Sequence, residues 1–195
     1  MTSTNAASGP FPAPTISRST PSILTVAVMV SVPPSTSEAS TFWRIRSSGV
    51  SAAILTAVTA PSKVVQISPA STSPTFTDLA EQGKTGGYWF RTCPSDALQG
   101  LAMAKVAQDA GLKKVAIMYL NNPYGQGLSK EFAAGFKQVG GTVTQDVVYN
   151  PSQPSYRAEV NKAMSPAPDA LFLIGYPGDG TTIAREWIGA GGPQK

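Results

Sequence analysis

Residues 114–150 read KVAIMYLNNPYGQGLSKEFAAGFKQVGGTVTQDVVYN. "KVAIMYL" is a short apolar run, continuous rather than alternating, as a strand covered on both faces reads. "NNPYGQG" supplies a turn. "LSKEFAAGFKQVG" reads as a helix closed by Gly140 and Gly141. "TVTQDVVYN" then reads as a second strand. Strand, helix and strand joined by short connections make a βαβ unit, which links parallel strands by a right-handed crossover.

The same rhythm extends both ways. Upstream, "SSGVSAAILTAVTAPSK" is small, apolar and helical in period, with Ser47 and Ser48 suited to capping its start. "VVQIS" reads as a buried parallel strand, and "GGYWFRTCPS" as another, stopped by Pro94. "SDALQGLAMAKVAQDAGLKK" reads as a helix capped by Ser95, with Leu98, Leu101, Ala102, Ala104 and Val106 as its apolar side and Gly111 as its end. Downstream come a helix in "SYRAEVNKAMS", a strand in "DALFLIGY" and a helix in "DGTTIAREWIGAGG". The pattern predicts an α/β fold with doubly wound parallel sheets. The break at Pro94 makes Arg91 to Asp96 a hinge-like junction between two strong elements, and with the family resemblance given below it is the expected crossing between two lobes, residues 47–94 and residues 95–195.

Composition narrows the chemistry. The chain has 195 residues, 13% of them charged and 42% hydrophobic, which suits a globular core. Its net charge is +4, with the lysines scattered and no basic run, which argues against nucleic acid as a partner. It has no histidine, so Ser-His-Asp and Cys-His arrangements and most zinc sites are excluded. Cys93 is the only cysteine and reads as a small buried hydrophobe rather than a nucleophile with no histidine partner. No catalytic residues, metal or cofactor are expected. "ILTVAVMVSV" at residues 23–32 is too short to span a bilayer and has the makings of the apolar part of a secretory signal. Residues 1–46 are Ser/Thr/Pro/Ala-rich, lack lysine and carry Arg18, Arg44 and Arg46 as their basic residues. They are expected to lie apart from the folded core, and the abrupt change of composition favours translation from a shifted reading frame.

In doubly wound sheets ligands sit beyond the carboxyl ends of the strands. "SPASTSPT" occupies that position after "VVQI", with hydroxyls and backbone N–H groups at a helix mouth, a place that favours a carboxylate. "NNPYGQG" puts Tyr124 at the next such mouth, and its partial glycine motif falls short of a phosphate loop. "GYPGDG" puts Tyr176 at a third, with Asp179 read as a helix cap. Asp96 at the start of its helix is accounted for by the helix dipole.

The blocks "SSGVSAA", "ISPASTSPTFTD", "YWFRTCPSDALQG", "KKVAIMYLNNPYGQGL" and "DALFLIGYPGDG" together resemble the type I periplasmic binding proteins that serve branched-chain amino acid ABC importers, the leucine-binding kind. The resemblance runs over residues 47–195 and implies two α/β lobes with an amino acid held between them and a membrane permease as partner, outside the cytoplasm. On matching positions it implies ligand contacts at Ser47 or Ser48, Ala70 and Thr72 in the first lobe, and at Tyr124 and Tyr176 in the second. Against the family pattern the chain reads as truncated at both ends: residues 1–46 lack the opening strand–helix–strand, and the rest of the second lobe, with the acidic residue that meets the ligand amine, would follow residue 195. The expected function is solute binding for import without catalysis; the alternative is a sensing domain of the same fold for an amino acid or amide.

Overall fold

Parallel pairing is what the alternating rhythm demands, and every strand pair among the described residues is parallel. The computed structural model describes residues 47–193, and the expectations for residues 1–46 fall outside them. Helix α1 (Ser48–Ile54) starts at Ser47, whose Oγ accepts from the Val50 N–H at 3.2 Å, and runs on into a wider π turn (Leu55–Thr59). Strand β1 (Gln66–Ser68), helix α2 (Thr75–Glu81) and strand β2 (Trp89–Arg91) follow. β1 and β2 pair in register, Gln66 opposite Trp89 and Ser68 opposite Arg91. Phe76 and Trp89 stack with centroids 4.1 Å apart over buried Leu55, which holds this first lobe together.

The chain then enters the second lobe. It comprises α3 (Asp96–Asp109), β3 (Lys114–Leu120), α4 (Pro123–Gln138), β4 (Thr142–Tyr149), α5 (Arg157–Met164), β5 (Ala170–Ile174) and α6 (Pro177–Gly189). Its sheet has the order β4-β3-β5. The central position of β3 explains its continuous apolar run: Val115, Ala116, Ile117 and Met118 are all buried, because helices cover both faces. On one face α4 brings Leu128, Phe132 and Phe136, and α3 brings Ala104 and Ala107, into one cluster with Ile117 and Phe172. On the other α5 and α6 bring Tyr156, Val160, Ile183 and Trp187 against Met118 and Tyr149. Burying each such large side chain contributes roughly 1.5–3 kcal/mol, so the two faces supply most of this lobe's stability. Gly111 and Gly140 stop α3 and α4 at φ +74° and +84°, the left-handed conformation that glycine adopts without cost.

Three expectations need correction. "VVQIS" is parallel but not buried throughout: Gln66 and Ser68 face inward, while Ile67 is 60% exposed and Val64 and Val65 are open. The reason is that the inward side of β1 meets α1 through polar groups, with Gln66 donating to the Ser51 carbonyl and accepting from Thr59. In α3 the expected apolar side is also rotated. Leu98, Leu101 and Val106 are exposed, and the buried seam is Asp96, Gly100, Ala104 and Ala107. Small residues win because α3 and α4 cross closely; a Cβ on Gly100 would stand 2.6 Å from Glu131 Cβ. Finally, "NNPYGQG" is a turn only at Asn121 and Asn122, since α4 already begins at Pro123 with Asn122 Oδ1 accepting from the Gly125 N–H at 2.8 Å.

Candidate functional site

The carboxyl ends of β1, β3 and β5 carry the three loops that the sequence singled out. After β1 the chain turns on serine hydroxyls. Ser68 Oγ accepts from the Ser71 N–H at 3.1 Å, and the Ser71 hydroxyl lies 2.6 Å from both Ser68 Oγ and Ser51 Oγ. The Ser73 N–H donates to Ser48 Oγ at 3.2 Å. Most of the hydroxyl-rich segment therefore binds itself: Ser48, Ser51, Ser68, Ser71 and Ser73 are all buried. Ala70 and Thr72 stay half-exposed, and Thr72 keeps its N–H out of this internal network. Its carbonyl accepts from the Asp96 N–H at 2.8 Å, which ties the loop to the start of α3.

The second lobe meets the same place. Ser73 Oγ donates to the Pro123 carbonyl at 2.8 Å, so the residues next to Thr72 and Tyr124 touch across the lobe boundary. Pro74 packs over Gly127, where an added Cβ would come within 2.7 Å of Pro74 Cδ. Gly127→Ala is expected to lift the Ser73–Pro74 segment off α4 at a cost of about 1–3 kcal/mol, read as a lower thermal midpoint; an unchanged midpoint would show that the lobes are not in tight contact here. Tyr124 and Tyr176 stack with centroids 5.9 Å apart and planes 21° apart. Burial raises the pKa of both phenols, and the Asp96 carboxylate nearby raises it further, so both remain neutral hydroxyls.

Asp96 is the residue that sequence reasoning left to the helix dipole. Ser95 performs the capping, its Oγ accepting from the Ala97 N–H at 3.3 Å. Asp96 is fully buried, and neither carboxylate oxygen has a hydrogen-bond partner among the described residues. Burial pushes its pKa up from 3.8 to about 6, against the pull of the facing Thr72 hydroxyl and the Arg91 guanidinium, while Glu131 adds to the rise. A buried carboxylate without partners is costly unless a cation joins it. The signal available in the sequence was the pair Ser95-Asp96, because one helix start needs only one cap. Asp179, read as a cap, instead accepts from the Tyr156 hydroxyl at 2.6 Å and the Ser152 N–H at 3.0 Å, and so braces the loop before α5.

The arrangement offers a free N–H at Thr72, a Thr72 hydroxyl turned to the buried carboxylate of Asp96, and two stacked rings. Ser47 and Ser48 stand behind the loop: Ser47 caps α1, and Ser48 holds Ser73. Cys93, expected to be buried, is only half-buried at the junction before α3, and that burial raises its thiol pKa, opposite to what a thiolate nucleophile needs. No group of three or more metal-ligating side chains occurs among the described residues.

A family model described as periplasmic binding protein matches residues 34–195. The chemotactic signal transduction system substrate-binding protein BasB of Halobacterium salinarum is 31% identical over 147 residues, covering 73% of this chain and 34% of that protein. The Leu/Ile/Val-binding protein homolog 3 of Brucella melitensis is 30% identical over 129 residues, covering 66% of this chain and 34% of that protein. The crystal structure of the leucine binding protein LivK from Thermotoga maritima superposes with a TM-score of 0.60 at 31% identity, over 69% of this chain and 37% of that one. The chain thus spans about a third of the length of these curated relatives.

Proposed function

We propose, from the premise that this chain belongs to the type I periplasmic binding proteins of the branched-chain amino acid family, that Thr72, Asp96, Tyr124 and Tyr176 hold the backbone groups of an amino acid between the lobes. The observation that carries this reading is Asp96, a fully buried carboxylate with no salt bridge among the described residues, beside the open N–H of Thr72. An amino acid has a carboxylate for the Thr72 N–H and an ammonium for Asp96 and the Thr72 hydroxyl beside it, so that Asp96 shares the role that the resemblance gives to an acidic residue beyond residue 195. Ser47, Ser48 and Ala70 form the first-lobe wall and fix the loop that presents Thr72. The rings of Tyr124 and Tyr176 cover the ligand from the second lobe.

The role is delivery rather than conversion. The lobes close on a branched-chain or related amino acid outside the cytoplasm, and the loaded protein docks on the membrane permease of an ABC importer; no step requires a catalytic group. A second reading is favoured by one relative: BasB serves a chemotactic system, so the same site would report an amino acid to a receptor instead of a permease.

Calorimetric titration with L-leucine, L-isoleucine and L-valine tests the site. Thr72→Val removes a hydroxyl facing charged groups, a loss of about 1.5–3 kcal/mol. Affinity is therefore expected to fall roughly tenfold to a hundredfold. No heat from the wild-type chain, or equal affinity in the variant, would place the site elsewhere.

A further inference from the structure

Some side chains shape a site without meeting its ligand. We infer that Arg91 is a positioning residue that sets the direction of the Thr72 N–H and, through the Thr72 carbonyl it shares with the Asp96 N–H, ties the site loop to the head of α3, so that one guanidinium governs both charged halves of the site. This rests on reading the cleft as an amino-acid site.

Arg91 ends β2, opposite Ser68. Its Nη1 donates to three successive carbonyls of the site loop, Ser71 at 3.4 Å, Thr72 at 3.1 Å and Ser73 at 2.9 Å. Its Nη2 donates to Thr77 Oγ1 at 2.9 Å, and the guanidinium lies 5.6 Å from the centroid of the Trp89 ring. The planar fork is thus fixed at several points, a geometry that arginine supplies and lysine does not.

Peptide planarity converts that anchorage into orientation. In a trans peptide the C=O of one residue and the N–H of the next point in opposite directions. Holding the Ser71 carbonyl toward Arg91 therefore turns the Thr72 N–H away from it. Holding the Thr72 carbonyl likewise turns the Ser73 N–H away, toward Ser48 Oγ at 3.2 Å. The Thr72 carbonyl also receives the Asp96 N–H, so the same short segment joins the anion-binding loop to the buried carboxylate.

Arg91 also acts through its charge. The groups facing Asp96 are Thr72 from the loop, Arg91 from β2, Glu131 and Tyr124 from α4, Tyr176 from the loop after β5, and Cys93 from the lobe crossing. Arg91 is the cation among them. A residue that served only to tie the fold would leave the titration of Asp96 unmoved.

The test uses Arg91→Met and Arg91→Lys in the 195-residue chain. Carbon NMR follows the Asp96 carboxyl without ligand, amide hydrogen exchange follows Ser73, and calorimetry follows L-leucine. In Arg91→Met the Asp96 midpoint is expected to rise by about half a unit or more, because a nearby cation that favours the charged form is gone. Arg91→Lys keeps the charge and is expected to keep the midpoint, while Ser73 exchange quickens about tenfold in both variants because the fork is lost. An unmoved midpoint in Arg91→Met, or unmoved Ser73 exchange in Arg91→Lys, overturns the inference; the second holds even if Arg91→Met fails to fold. These responses without L-leucine heat in the wild type would sink the amino-acid reading and leave the positioning role standing. Heat without the responses would do the reverse.

Discussion

Replacing Asp96 by asparagine is expected to make the ligand-free protein more stable and to cripple binding. Asp96 is fully buried with a pKa near 6, against an ordinary 3.8. Between about pH 4 and pH 6 the folded chain keeps a proton that the unfolded chain has released, so stability falls as pH rises through that window. Above it the ionised folded state bears a cost of about 3 kcal/mol, at 1.36 kcal/mol per unit. Asparagine is neutral and escapes that cost but leaves an amide without partners, so a net gain of about 1 kcal/mol is expected. Urea unfolding at neutral pH should show the gain, and unfolding near pH 4 should not. Binding moves the other way. Loss of a charge-assisted bond to the ligand ammonium costs about 1.5–3 kcal/mol, a fall of roughly tenfold to a hundredfold. In the wild type, L-leucine affinity should drop as pH falls through about 6, the value at which Asp96 takes up its proton. In Asp96→Asn that pH dependence should be gone. Wild-type affinity in the variant would remove Asp96 from the site.

The second large effect is expected at Gly125. Only Asn121 and Asn122 separate β3 from α4, and Gly125 is buried in the first helical turn, right after Tyr124. A Cβ there would collide with the Leu120 carbonyl oxygen and stand 2.9 Å from the Leu120 carbonyl carbon. Backbone on both sides cannot yield as a side chain tip can. Gly125→Ala is therefore expected to cost about 3 kcal/mol or more, a drop of roughly 6–12 °C in thermal midpoint. Gly178 makes the control: it too lies in a first helical turn, but an added Cβ meets nothing within 4 Å, so Gly178→Ala should be close to neutral. Equal midpoints for the two variants would refute the argument. Tyr124 reaches the cleft because the turn before it is this short, and glycine is what permits the shortness.

How much of this was legible in the sequence follows from which signals are local. β3 was readable because a strand covered on both faces has no polar position to confuse the pattern. Gly111 and Gly140 marked their helix ends because the φ they need is a property of single residues. The seam of α3 was not readable. Leu98 and Leu101 obey a helical period, yet the helix turns Gly100 and Ala104 inward because α4 brings Glu131, Phe132 and Gly135 so near. The site divided along the same line. Thr72, Tyr124 and Tyr176 stand at the carboxyl ends of strands, where the topology of any such sheet puts its ligands. Asp96 was missed because its lack of a partner is a fact about distant neighbours. The mutual bonding of the serines around the loop after β1 was likewise hidden, since nothing in a linear string shows that Ser51, Ser68 and Ser71 meet, or that Ser48 holds Ser73.

The stacked rings of Tyr124 and Tyr176 have a consequence for measurement. At 5.9 Å and 21° the two phenols are close enough for their electronic transitions to mix. Each ring stands on a different strand–helix junction, so their mutual geometry exists only when the second lobe is properly assembled. The near-ultraviolet circular dichroism of the tyrosines thereby becomes an intrinsic optical gauge of the cleft. It needs no label, and it would register a solute slipping against the rings as a change of sign or amplitude where calorimetry registers only heat.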